Sequence, residues 1–234
     1  MKQYFVTGTD TEVGKTYVTC QLLTAATRLN KKALGYKPVS AGCDLINHEW
    51  VNEDAANIQK ANSIQLPISE INPIALKPPI APHIAASEEN VVLSDDKIMQ
   101  GLAHLQSYQP DLLLMEGAGG WRLPLNIPSR GTALAATQSR FMSDVVSAIG
   151  MEVILVVGMR LGCLNHALLT AEAIRQDGLT IAGWVANDIT GNMSRYSDNL
   201  ASLKTLLPEP LLAEIPFQQA PKDEALNFAL EQLC

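Results

Sequence analysis

The run Gly8-Thr9-Asp10-Thr11-Glu12-Val13-Gly14-Lys15-Thr16 holds the residue types and spacing in this chain best suited to chemistry. Its glycines permit backbone torsions and close approach that a side chain would block. Successive N–H groups can then converge on phosphate oxygens, and a helix opening near Gly14 would add the positive end of its dipole. Lys15 would reach the β- and γ-phosphates, and the Thr16 hydroxyl would ligate Mg²⁺. The segment follows the strand-like run Tyr4-Phe5-Val6 and precedes Val18, Leu22, Ala25 and Leu29 at helical spacing. Strand before and helix after is the context such a loop requires. The expectation is a site for ATP with Mg²⁺. Five residues separate the glycines, where the common form has four. A related class of ATPases carries a second lysine five positions before the loop lysine. Asp10 stands there in this chain, which weighs against a partition- or septum-type switch ATPase.

Two acids are candidate metal ligands. Glu116 closes the apolar run Leu112-Leu113-Leu114-Met115 and precedes Gly117-Ala118-Gly119-Gly120. A carboxylate at the carboxyl end of a parallel strand faces the active edge, where Mg²⁺ favours such oxygen donors, or it is simply a solvated strand end. The second acid, Asp54, reads equally as a carboxylate near a helix N-terminus. Lys37 ends a second strand-like run before Pro38-Val39-Ser40-Ala41-Gly42; it would point at the same edge, or be a surface charge. Gly162-Cys163-Leu164-Asn165-His166 starts a helix that could hold a carboxylate, or is simply capped by Asn165. Cys163 reads as a packing residue, and His83 and His166 as structural.

Positioning these groups requires alternating strands and helices. The strand-like runs are Tyr4–Thr7, Ala33–Lys37, Leu112–Met115, Val153–Val157, Ile181–Ala186 and Leu211–Ile215. Most are continuously apolar, as in parallel strands covered on both faces. Residues 165–176, 193–206 and 222–233 read as helices, and Asn52–Ala61 as a short one. The proline-rich stretch 64–93 reads as an excursion over the active face. The result is a single-domain α/β fold over residues 1–234, a doubly wound, mostly parallel sheet. Ligands in such sheets bind beyond the carboxyl ends of the strands. A net charge of −7 argues against general affinity for nucleic acid. The cysteines fit no zinc spacing and suit a reducing compartment. With no signal-peptide pattern and no apolar run of membrane-spanning length, the expectation is a cytoplasmic protein.

The chain resembles the dethiobiotin synthetase family, ATP-dependent carboxylases of P-loop fold, from end to end. The resemblance is carried by Gly8 to Thr16 with its five-residue spacing, Tyr36-Lys37-Pro38-Val39 and Pro82-His83. It continues through Glu116-Gly117-Ala118-Gly119-Gly120-Trp121, Leu161-Gly162-Cys163-Leu164-Asn165-His166, Gly183-Trp184-Val185-Ala186-Asn187 and Glu214-Ile215-Pro216. It implies 7,8-diaminononanoate, CO₂ (or bicarbonate), ATP and Mg²⁺ as reactants and cofactor. It also implies a homodimer with the substrate near the interface.

Carried over residue by residue, the resemblance makes Lys37 and Lys15 catalytic and gives Mg²⁺ to Thr16, Asp54 and Glu116. It places ATP on Glu12, Val13, Gly14, Lys15, Thr16 and Tyr17, and on Asp54, Glu116, Gly117, Ala118 and Gly119. Asn187 with Asp188 would read adenine, bordered by Pro216, Phe217 and Gln218. Thr11, with Glu12, would line the diamine. The substrate carboxylate would rest on Leu161, Gly162, Cys163, Leu164 and Asn165 of the neighbouring subunit. Two features depart from the family. The pattern Lys-Pro-(Val/Ile)-x-(Ser/Thr)-Gly puts Ala41 where a substrate-touching serine belongs, with Ser40 one place earlier. The segment from Asn126 to Phe141, with Arg130, Gly131 and Arg140, is longer than the family form, and reads either as a surface loop or as a contact to the substrate entrance. Two rivals stand beside this reading: another P-loop enzyme acting on a carboxylate, and a slow nucleotide switch.

Overall fold

The computed structural model describes residues 1–127, 138–217 and Leu233. Arg130, Gly131, Gln218 and the expected helix 222–233, apart from Leu233, lie outside the described residues. The chain opens with β1 (Lys2–Gly8), α1 (Lys15–Arg28) and β2 (Ala33–Tyr36). The short pieces β3 (Val39–Ala41), β4 (Asp44–Ile46), β5 (Glu49–Val51), α2 (Glu53–Ala61), α3 (Ile68–Ile71), β6 (Ile74–Leu76) and α4 (Pro82–Glu88) follow. Then come α5 (Asp95–Ser107), β7 (Leu112–Gly120), β8 (Pro124–Asn126), β9 (Arg140–Phe141), α6 (Met142–Ile149) and β10 (Glu152–Gly158). The described part ends with α7 (Cys163–Gln176), β11 (Ile181–Asn187), α8 (Tyr196–Leu206) and β12 (Leu211–Ile215).

The main sheet runs β12-β11-β10-β1-β7-β2, and its pairs are parallel. The apolar runs explain this. Leu112 to Met115 and Val153 to Val157 are buried throughout, so both faces of these strands need cover, which helices supply. On α1, Val18, Leu22, Ala25 and Ala26 form the buried face. After β1 the chain crosses to β2 at one edge, and β10 later enters on the other side of β1. The order therefore reverses around β1, and the crevice at its carboxyl end is the expected ligand site.

Three differences from the sequence reading matter for function. The strand expected to stop at Met115 continues as β7 to Gly120, so Glu116 lies within it. The register steps from Val6↔Glu116 to Gly8↔Gly120, and this bulge arches residues 117–119. The proline-rich stretch is not mere loop: β3 pairs with β6, and α4 follows. Helices α5 and α6 escaped the sequence reading, although Ser94 before Asp95-Asp96 is an N-cap signal. The segment after Leu125 partly resolves into the antiparallel pair β8–β9. Arg140 there is paired with Asp95, so among the described residues it serves a surface ion pair.

Candidate active site

The phosphate loop leaves β1 at Gly8 and enters α1 at Lys15. Glu12 and Gly14 both hold left-handed torsions, with φ of 60° and 83°. Alternation of this kind curls backbone N–H groups into an anion-binding nest. Gly14 is required twice over: besides its φ, an added Cβ would lie 2.2 Å from Asn187 Nδ2. That amide nitrogen donates to the Val13 carbonyl at 2.8 Å, fastening the loop to the end of β11. Thr9 N–H donates to the Val156 carbonyl at 3.0 Å and so ties the loop to β10.

The loop forms one wall of a cleft of ≈ 1150 Å³. Thr11, Glu12, Gly14, Lys15, Thr16 and Tyr17 line it from the loop and α1; Lys37, Ser40, Ala41 and Asp54 line it from the β2–α2 region. Ala118 and Gly119 add the arch of β7, and Pro79 to Pro82 close the far side. The proline-rich excursion therefore does reach the active face, through these four residues.

Charge is concentrated on the floor. Glu116 is fully buried, and its Oε1 accepts from Thr16 Oγ1 at 2.7 Å and from Lys37 Nζ at 2.6 Å. Lys37 Nζ also lies 3.1 Å from Asp54 Oδ2. Lys37 is 3 % exposed, so it is no surface charge. Burial alone would push its ammonium down, but Glu116 and Asp54 together hold it above the usual lysine range. Burial disfavours the Asp54 carboxylate, yet Lys37, Thr16 and Lys15 bring it below the ordinary value. Lys15 is pushed down to about 8 by burial and then by Lys37, against the pull of Glu116, Asp54 and Asp10. Its Nζ donates to the Asp10 carbonyl at 3.1 Å.

The donors on this floor fit a hard cation. Thr16, Asp54 and Glu116 offer oxygen only, and Glu116 Oε2 is buried with no hydrogen-bond partner among the described residues. Among the described residues, no group of three or more His, Cys, Asp or Glu side chains could hold a metal. A cation here would therefore draw on Thr16, the two acids and phosphate oxygens. Asp54 owes its place to Asn52, the N-cap of α2, whose side chain accepts from Ala55 N–H. Asp54 thus sits in the first turn of α2, as the helix-terminus reading expects, and from there it faces Lys37.

Other expected residues are placed differently. Asn187, at the end of β11, and Pro216 and Phe217, after β12, lie off the cleft wall. Asp188 Oδ1 accepts from Thr190 and Gly191 N–H at 3.2 and 2.9 Å, shaping the turn after β11. Leu161 to Asn165 also lie off the wall, at the start of α7. The N-cap is Gly162, φ 96°, rather than Asn165. Leu161 is 97 % exposed, whereas Cys163 is buried, as a packing residue should be. Ser40 is buried, and its hydroxyl is 2.7 Å from Asn72 Oδ1. Asn72 Nδ2 in turn donates to the Lys37 carbonyl at 2.6 Å. Ser40 and Asn72 thus brace the backbone that presents Lys37. Asn72 went unnoticed in the sequence, because nothing in a lone Asn-Pro turn signals a partner 35 residues away.

A family described as an AAA domain matches residues 2–225. The ATP-dependent dethiobiotin synthetase of Alteromonas mediterranea is 68% identical over 237 residues, covering 100% of both chains. The chain belongs to the dethiobiotin synthetase family. The synthetase of Aeromonas hydrophila is 45% identical, covering 99% of this chain and 97% of that one. The likeness to solved structures lies at the level of fold. A ParA-family ATPase from Chlorobium tepidum superposes with a TM-score of 0.55 at 13% identity, covering 93% of this chain and 85% of that chain. A MinC:MinD complex from Aquifex aeolicus gives 0.55 at 15%, covering 94% and 83%. This chain thus has the α/β scaffold of P-loop nucleotide-binding proteins.

Proposed function

We propose that the chain joins CO₂ to 7,8-diaminononanoate and closes the ureido ring of dethiobiotin, converting ATP to ADP and phosphate. The names of its relatives support this reading. The observation that carries it in the structure is Lys37: a buried ammonium, bridged between Glu116 and Asp54, beside a loop built for phosphates.

One amine adds to the carbon of CO₂ and loses a proton, giving a carbamate. A carbamate oxygen attacks the γ-phosphorus, ADP leaves, and a mixed carbamic–phosphoric anhydride forms. The second amine attacks the carbamoyl carbon; phosphate departs, a further proton is lost, and the ring is closed. Negative charge builds on carbamate and γ-phosphoryl oxygens, which is where fixed ammonium groups act. Lys37 takes the carbamate side and Lys15 the phosphate side. Thr16, Asp54 and Glu116 would hold Mg²⁺, which supplies charge neutralisation at the phosphates. Thr11 and Glu12 take the diamine, and Ala41, Ile80 and Ala81 offer apolar contact to its chain. Asn187 has an N–H and a carbonyl left for adenine after serving Val13, with Asp188, Pro216 and Phe217 around the base. The substrate carboxylate rests on the exposed start of α7 in a second copy, so the working unit is a homodimer. Holding the reactants together is the main task, worth about 7–11 kcal/mol for well-oriented groups.

Incubating the protein with ATP, Mg²⁺, bicarbonate and 7,8-diaminononanoate should give phosphate release that requires the diamine and a product with the mass of dethiobiotin. Diamine-independent hydrolysis without that product would sink this reading. Ser40→Ala tests the displaced serine. The hydroxyl serves Asn72, so the diamine KM should stay within about twofold, while stability falls by about 1 kcal/mol. A diamine KM raised by about tenfold or more would instead put Ser40 on the substrate.

A further inference from the structure

The phosphate loop carries an acid that no role above uses. Asp10 stands five residues before Lys15, in a segment built to receive a polyanion. A bare carboxylate there would oppose the triphosphate. The structure shows what the acid does. Asp10 Oδ1 accepts from Thr11 N–H at 2.8 Å, and its backbone carbonyl accepts from Lys15 Nζ at 3.1 Å. It therefore organises the first half of the loop from both its side chain and its main chain. Its charge is also close enough to act on the Lys15 ammonium. Asp10 Oδ2 is paired with Arg160, which lies just beyond the end of β10.

Arg160 is itself firmly placed. The preceding residue, Met159, donates its N–H to the Asn187 carbonyl at 2.7 Å, and the Arg160 carbonyl accepts from Cys163 N–H at 3.0 Å. The backbone that carries the guanidinium is thus anchored in the turn that opens α7, and the side chain reaches across to the loop. Both partners are partly exposed, 37% and 44%, and such pairs contribute little to folding stability. What the pair changes is the local charge. We propose that Arg160 is a positioning residue for the nucleotide: it neutralises Asp10, so the carboxylate can organise the phosphate loop without repelling the triphosphate.

The inference rests on the phosphate loop being the ATP site, and its test separates the two. Wild-type turnover that requires ATP and diamine secures the site before any variant is compared. Arg160→Gln leaves the Asp10 charge bare, and the ATP KM should rise about five- to tenfold at low ionic strength, with kcat changed less than about twofold. The rise should shrink toward high salt. Asp10→Asn, whose amide oxygen can still accept from Thr11 N–H, should leave the ATP KM at or below wild type. Added to Arg160→Gln, it should restore most of the lost affinity. Arg160→Lys should keep it. Thermal midpoints should agree throughout. An Arg160→Gln enzyme with a wild-type ATP KM at low salt overturns the proposal. So does a double variant weaker than Arg160→Gln, because a bracing role for the pair would make the second loss add to the first.

Discussion

Lys37→Ala should cut turnover by about 10²–10³-fold while the dissociation constant for ATP moves by no more than roughly threefold. The reason lies in what Lys37 touches. Its ammonium is tied to Glu116 and Asp54 rather than to the loop that receives the phosphates. Ground-state ATP therefore loses little when it is removed. The transition state loses more, because charge develops on carbamate and γ-phosphoryl oxygens with one fixed cation fewer. Single-turnover phosphate release, set beside equilibrium binding of ATP, measures the two effects separately. Equal losses in both would mean that Lys37 serves binding alone. Because the change leaves Glu116 without its ammonium, a thermal scan of the variant belongs beside the kinetics.

Glu116→Gln should be felt in folding as well as in catalysis. Glu116 is fully buried and has Lys37 at 2.6 Å and Thr16 at 2.7 Å on one oxygen. The amide keeps the shape but removes the charge that offsets a buried ammonium. Breaking such a pair from one side costs about 3–5 kcal/mol. Asp54 remains beside Lys37 at 3.1 Å, so the low end, about 3 kcal/mol, is expected. A drop of roughly 6–12 °C in the melting midpoint corresponds to that. Activity should fall with it, and, if Glu116 holds Mg²⁺ as proposed, more Mg²⁺ should be needed for half-maximal rate. A melting midpoint unchanged from wild type would show that the pair is not a stabilising unit and that Lys37 finds its counter-charge elsewhere.

Much of this site is legible in the sequence, for a physical reason in each case. The loop announces itself because glycines, a lysine and a threonine must stand close together along the chain to curl around phosphates. The strands announce themselves because burial on both faces makes them continuously apolar, as from Val153 to Val157. Glu116 is legible as an acid after an apolar run, but its setting is not. The bulge against β1 is a property of two strands, and neither strand encodes it alone. Asn72 and Arg160 were missed for a similar reason. Each acts through a partner far along the chain, Ser40 in one case and Asp10 in the other. Such pairings become visible only when the fold brings them together. The family resemblance gives Asn187 to adenine, while its bond to the Val13 carbonyl, which secures the loop, is not foreseeable from its neighbours in sequence. Helices α5 and α6 were overlooked although Ser94 caps the first of them.

The pairing of charges on the cleft floor has a consequence for how the nucleotide arrives. Lys15 interacts with Asp10, Lys37 with Glu116 and Asp54, and Arg160 with Asp10. Lys37 and Arg160 are paired directly with acids, Lys15 is bonded to the Asp10 carbonyl, and these three cations stand beside three acids, Asp10, Asp54 and Glu116, in a chain whose formal charge is −7. Seen from several Debye lengths away, such a site is not a positive funnel. A free triphosphate is not drawn in by a long-range field; it meets the loop by ordinary diffusion and is retained at contact range. Selection for the nucleotide is thus exercised after encounter, by oriented N–H groups and fixed ammonium groups, and its record is the rate of departure rather than the rate of arrival.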